Sequence, residues 1–194
     1  RADRDYRDQL SGYLAVPENL HIEVKNGHLE TIDQYVKGED LNRYATPELW
    51  GRMVDSIVQA KKVFLDAKAP NFVNDGQDIW YVDTFPPMKR SMWGQIEPWI
   101  PEVYKRDRQM MTFNFGDIRG QMTKLLRLAR MERPKDYGWI KGTTFSVLEA
   151  KIKPSDYEYI KQQELGNFPD LNLFYGKDYR VAKQRLTQLR RQHA

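Results

Sequence analysis

The chain has 194 residues, a formal net charge of +4, 40% hydrophobic residues with 5 Trp, 11 Tyr and 8 Phe, and no cysteine. That length suits one ordinary domain with appendages, and the lack of cysteine excludes disulfides, thiolate nucleophiles and cysteine-based zinc or iron-sulfur sites. No apolar run approaches the roughly 18 residues needed to cross a bilayer, so the chain is expected to be soluble or peripheral.

Charge is unevenly spread. Residues 1–48 carry six basic and ten acidic side chains, 116–135 carry six and two, and 177–194 carry six and one. An acidic front and two basic blocks make a dipolar molecule, better suited to docking between partners of opposite sign than to coating a polyanion.

Near the front, LHIEVKNGHLETI holds two His-x-Glu units, His21 with Glu23 and His28 with Glu30, around Asn26-Gly27. An Asn-Gly hairpin sets Glu23 against Glu30 with both histidines on one side, a set of four metal-type ligands. Two opposed carboxylates destabilise such a pair, and Leu29, Ile32 and Val36 fit equally a helix stopped by Gly38. Both readings of residues 20–32 stay open, and no metal or cofactor is assigned.

The strongest element is ATPELWGRMVDSIVQAKKVFLDAKAP, in which Thr46 caps, Pro47 takes the first helical position and Pro70 lies just beyond the end. Leu49, Met53, Ile57, Ala60 and Phe64 recur at helical spacing, widened by Trp50, Val54, Val58 and Leu65, which predicts a central core helix. Residues 78–104 change character. Prolines at 86, 87, 98 and 101 forbid a long helix or central strand, leaving a short strand up to about Thr84, lined by Ile79, Tyr81 and Phe85 or by Trp80 and Val82, and then an extended strap. The strap presents Met88, Met92, Trp93 and Trp99, residue types enriched at the buried centres of interfaces.

Residues 116–135, GDIRGQMTKLLRLARMERPK, place Ile118, Met122, Leu125, Leu126, Leu128 and Ala129 in one arc, with Arg119, Lys124, Arg127 and Arg130 opposite. This is a packed helix with a basic back ended by Pro134, on which Arg127 and Arg130 are the candidate partner-binding residues. The stretch 139–154 reads as a short strand or as a helix ending before Pro154. In SDYEYIKQQELG, Ser155 and Glu158 match a capping box and Gly166 a stop. The tail from Lys177 carries Tyr179, Ala182, Leu186 and Leu189 as a narrow seam on a charged helix, with Arg185 and Arg190 beside it.

The expected fold is mainly α: an irregular helical domain over residues 1–176 with the extended Pro/aromatic-rich segment 78–104, one short β hairpin or strand pair, and a basic C-terminal helical arm over 177–194. No G-x-S-x-G elbow or G-x-G-x-x-G loop occurs, and Gly176-Lys177 lacks the upstream glycine of a phosphate loop. With only three histidines, one of them at position 193, a His-based catalytic pair has few ways to assemble. The expectation is a non-catalytic structural or assembly subunit of a large intracellular complex, acting on other protein subunits rather than on a small-molecule substrate. The alternative is an RNA-associated subunit, such as an organellar ribosomal protein, that contacts phosphate through its basic helices. Residue 1 is arginine, so a targeting peptide would already be removed, and with the basic balance and missing cysteine this points to the mitochondrion.

Overall fold

The computed structural model describes residues 2–25, 28–63, 65–84 and 117–165. Six α-helices and five short strands lie within them, so the chain is mainly helical. The strand content exceeds the single pair expected from sequence, because short strands of two or three residues carry no legible periodicity.

Helix α1, Ala2–Ser11, buries Tyr6, Arg7 and Leu10, and the chain turns after it to bury Leu14. Tyr6, Leu10 and Leu14 repeat every four residues, a spacing that puts them on one helical stripe. Strands β1, Asn19–Lys25, and β2, His28–Asp33, then pair antiparallel, with Glu23 opposite Glu30 and Lys25 opposite His28. The hairpin is therefore the correct reading of residues 20–32, and the helix through Leu29, Ile32 and Val36 is overturned. Asn-Gly connections favour the tight turn of a two-residue hairpin. The register slips between Asn19 and His21, and the Asn19 amide fills the irregularity by donating to the carbonyls of His21 and Ile32 and to Asp33 Oδ1. Arg7 of α1 holds the hairpin base through Asp33 at 3.0 Å.

Strands β3 (Glu39–Asp40), β4 (Phe72–Asn74) and β5 (Ile79–Tyr81) form an antiparallel sheet in that order. Ile79 and Tyr81 are the buried residues of β5, as the first of the two sequence alternatives has it, while Phe85 lies outside the described residues. Tyr81 N–H also donates to the Ala15 carbonyl at 2.8 Å, which ties the segment after α1 to this sheet. Gly38 is not a helix stop: a Cβ there would lie 2.3 Å from the Asn74 carbonyl oxygen, so only glycine lets the two strands approach. In the turn between β4 and β5, Asp75 Oδ1 accepts from the N–H groups of Gln77 and Asp78, and Gly76 supplies a φ of +99°.

Asp40 caps helix α2, Leu41–Tyr44. Helix α3, Pro47–Gln59, starts where the sequence says, with Thr46 Oγ1 accepting from Leu49 N–H at 3.3 Å. It stops well short of Pro70, a correction. Lys61 and Val63 N–H bond back only three residues, to Val58 and Ala60, and beyond the helix Val63, Leu65, Ala67 and Ala69 are all buried. Those alternate apolar residues have the period of a strand-like segment, and burying them one-sidedly requires leaving the helix. A 3-10 turn, Ala69–Asn71, leads into β4.

Helices α4 (Ile118–Glu132), α5 (Tyr137–Lys151) and α6 (Pro154–Leu165) complete the body. The stretch left open between strand and helix is α5, whose Ile140, Thr144 and Leu148 are buried at four-residue intervals. Helix α6 begins at Pro154, so Ser155 lies inside its first turn rather than at the cap. Asp156 and Tyr157 N–H instead bond the Lys153 carbonyl, because proline at the first helical position already presets the turn.

Helix α3 packs on α5 and α4 packs on α6. The Trp50 indole N–H donates to Thr144 Oγ1 at 2.9 Å, and Thr144 in turn donates to the Ile140 carbonyl. The Trp50 ring also meets Trp139 edge-on at 6.2 Å. One hydrophobic cluster extends from Tyr6 to Ile160 and takes in Trp50, Met53, Phe72, Tyr81, Met122 and Leu125. Each such side chain contributes roughly 1.5–3 kcal/mol by leaving water.

Candidate interaction site on the basic helix

Asp117 caps α4 by accepting from Arg119 N–H at 2.7 Å. The apolar arc read from sequence is buried throughout: Ile118, Met122, Leu125, Leu126, Leu128 and Ala129, with Gly120, Gln121 and Thr123 beside them. Buried Gln121 donates to the Val63 carbonyl at 3.1 Å and so fastens α4 to the segment after α3.

The basic back is not uniformly solvated, which corrects the sequence picture. Lys124 turns inward and bonds the Asp66 carboxylate. Arg119 meets Asp156 at 3.1 Å and lies 5.4 Å from the Tyr159 ring centroid. Just past the helix, Arg133 pairs with Asp136 at 2.8 Å and stacks over Trp139. These cations hold the helices together, and side-chain direction alone did not foretell it.

Arg127 and Arg130, the candidate partner-binding residues, lie side by side on α4. They line a notch between α4, α5 and α6 with Thr123, Leu126, Tyr137, Gln163 and Glu164. Its cavity is about 10 Å³, room for about one water-sized group. Arg130 is exposed and its guanidinium lies 5.8 Å from the Tyr137 ring centroid. Tyr137 donates its hydroxyl proton to Glu164 Oε1 at 2.9 Å, and Lys141 Nζ lies 2.9 Å from Oε2. Burial, then the Glu164 carboxylate, push the Tyr137 phenol well above its ordinary value. Thr123 is only 8% exposed, and its hydroxyl has no hydrogen-bond partner among the described residues.

A second polar centre, missed from sequence, lies behind Lys124. Asp66 bonds both Lys124 and Lys68, the latter at 2.9 Å. Burial raises the Asp66 carboxyl, but the two ammonium groups outweigh it and hold it below the usual carboxylate range. Burial lowers the Lys124 ammonium despite Asp66. Asp83 is raised, by burial first and then by the Asp66 charge, while Asn71 Nδ2 donates to it at 2.9 Å. Asp66 N–H donates to the Tyr81 hydroxyl, which is also hydrogen-bonded with that of Tyr6. The sequence carries no signal for Asp66, because in an alternating run the residue between Leu65 and Ala67 is expected to face away from the core.

In the hairpin, His21 Nε2 lies 3.5 Å from Glu23 Oε2, and among the described residues no group of three His, Asp or Glu side chains is placed to hold a metal ion. No described helix is long and apolar enough to cross a membrane. Met88, Met92, Trp93, Trp99, Arg185, Leu186, Leu189 and Arg190 lie outside the described residues, as does the proposed arm over 177–194. Compared with known protein families, curated proteins and solved structures, the chain matches none.

Proposed function

We propose that this chain is a non-catalytic structural or assembly subunit of a large intracellular complex and works through protein–protein contacts. The observation that supports it is the β1–β2 hairpin. Among the described residues its contacts are chiefly between its own two strands, and it and the residue run after it present Leu20 (61% exposed), Ile32 and Tyr35 (84% exposed) to solvent. An arm that carries apolar side chains outward, anchored at its base by Arg7, is built to reach a neighbour, and aromatic and aliphatic anchors are what a protein interface buries. The inward use of Arg119 and Lys124 leaves fewer cations for phosphate than the sequence promises, which favours a protein partner over RNA. Mitochondrial residence is part of the same proposal, supported by the basic balance and the missing cysteine.

The test is capture of the chain from its native source after lysine-directed crosslinking. Other protein subunits should co-purify, with crosslinks at Lys25 or Lys37 and no loss on ribonuclease treatment. Recovery as a lone monomer, or release of all partners by ribonuclease, would overturn the proposal.

A further inference from the structure

Strands β1 and β2 form a sheet of their own, and among the described residues neither pairs with a third strand. A two-stranded hairpin standing in water is marginal, and a further strand along one edge secures it. Lys25 and His28 flank a two-residue loop, so they form a hydrogen-bonded pair. Such pairs alternate with pairs that exchange no bonds. Glu23 with Glu30 is therefore bonded, while Ile22 with Thr31 and Val24 with Leu29 are not. The backbone N–H and C=O groups of Ile22 and Val24 accordingly point away from β2, along the outer edge of β1. An edge of this kind is a template for another strand.

The residues along that edge select the occupant. The side chains of His21 and Glu23 are 50% and 43% exposed, and their 3.5 Å separation within one strand is longer than a good hydrogen bond. A second copy laid antiparallel against β1 is related to the first by a two-fold axis, so each residue meets the one equally far beyond that axis. With the axis at Ile22, His21 of each copy lies opposite Glu23 of the other, an imidazole against a carboxylate at both ends, and the outward groups of the two Ile22 residues bond each other. With the axis at His21, Glu23 meets Asn19. With the axis at Glu23, two carboxylates face each other and His21 meets Lys25. Strand β2 offers no equal match: an axis at Thr31 sets Glu30 against Ile32, and one at Leu29 runs into the loop.

We propose that β1 is a self-complementary edge through which two copies of this chain join, antiparallel and centred on Ile22, into one sheet ordered β2-β1-β1-β2. This rests on the reading of the hairpin as a docking arm and names the occupant of one of its edges.

Sedimentation velocity of the purified full chain over about 1 to 100 μM should show a monomer passing reversibly to a dimer, a weak one because the contact is small. His21→Glu sets carboxylate against carboxylate at both ends and should weaken the dimer about tenfold, two cross-strand pairs being lost at once. Adding Glu23→Lys restores opposite charges and should return the dimer to within about threefold of the parent. Ile22→Pro removes an outward N–H that β2 does not use and should abolish association. Circular dichroism confirms that each variant folds, and if Ile22→Pro does not, His21→Glu and its rescue decide. The edge is disproved if the chain stays monomeric throughout that range, if the dimer is indifferent to His21→Glu or to a folded Ile22→Pro, or if the double exchange fails to rescue. Failure of the subunit reading is seen separately, when no other protein co-purifies from the native source whatever the purified chain does.

Discussion

Lys124 in the middle of α4 and Asp66, 58 positions earlier, form an ion pair that both side chains enter with only 17% of their surface exposed. Removing one member of a largely buried pair leaves the other uncompensated. Asp66→Asn is therefore expected to destabilise the fold by about 3 kcal/mol. Lys124→Met should have a smaller effect, because Lys68 remains 2.9 Å from Asp66. The double variant should be less destabilised than the sum, since neither charge is then stranded. Urea unfolding of the four species measures all three statements.

Asp83 predicts a pH signature. Its carboxyl is raised above the ordinary 3.8, so the folded state holds the proton more tightly than the unfolded chain. The stability this contributes is complete below that value and is lost as pH rises through the higher folded one. Asp83→Asn is accordingly expected to raise the melting temperature at pH 7, with the gain vanishing near pH 4. Equal gains at both values would show that charge on Asp83 is not what strains the site.

The Trp50 to Thr144 hydrogen bond predicts an asymmetry between two small changes. Thr144→Val leaves a buried indole N–H unpaired and should cost about 1–3 kcal/mol. Thr144→Ser keeps the acceptor and should lose much less. Denaturant unfolding followed by tryptophan fluorescence gives the comparison.

Two glycines should rank in a definite order. Gly76→Ala meets no neighbour within 4 Å but keeps a positive φ, and is expected to cost about 1–2 kcal/mol. Gly38→Ala drives a methyl group into the Asn74 backbone, where overpacking of about 1–3 kcal/mol is added to displacement of β3 from β4. Gly38→Ala should be the more damaging in thermal melts, and the reverse order would show that the strands separate easily.

What the sequence revealed was direction along an element; what it concealed was the partner across space. Thr46-Pro47 marked the start of α3 because capping is local chemistry. Its end was hidden, since Ala60 and Leu65 continue a helical pattern while the Val63, Leu65, Ala67, Ala69 alternation competes with it. Helix α5 escaped because its buried stripe is narrow, Ile140, Thr144 and Leu148, with threonine in the centre. Arg127 and Arg130 were singled out as the residues of the basic back farthest from the apolar arc, yet Lys124 looks identical to them in a helical projection. Only the fold supplies the distant Asp66 that draws it inward. Thr123 carried no signal at all, since an orphaned hydroxyl is defined by what surrounds it.

The hydroxyl-to-hydroxyl contact between Tyr6 and Tyr81 gives the molecule an alkaline limit. Both phenols are raised, by burial first, so the native state resists their ionisation while an unfolded chain loses those protons near pH 10. As base is added, absorbance at the phenolate band should stay short of its full value for as long as the fold persists. The remaining rise arrives together with collapse of the helical circular dichroism, because these two rings surrender their protons only when the molecule comes apart.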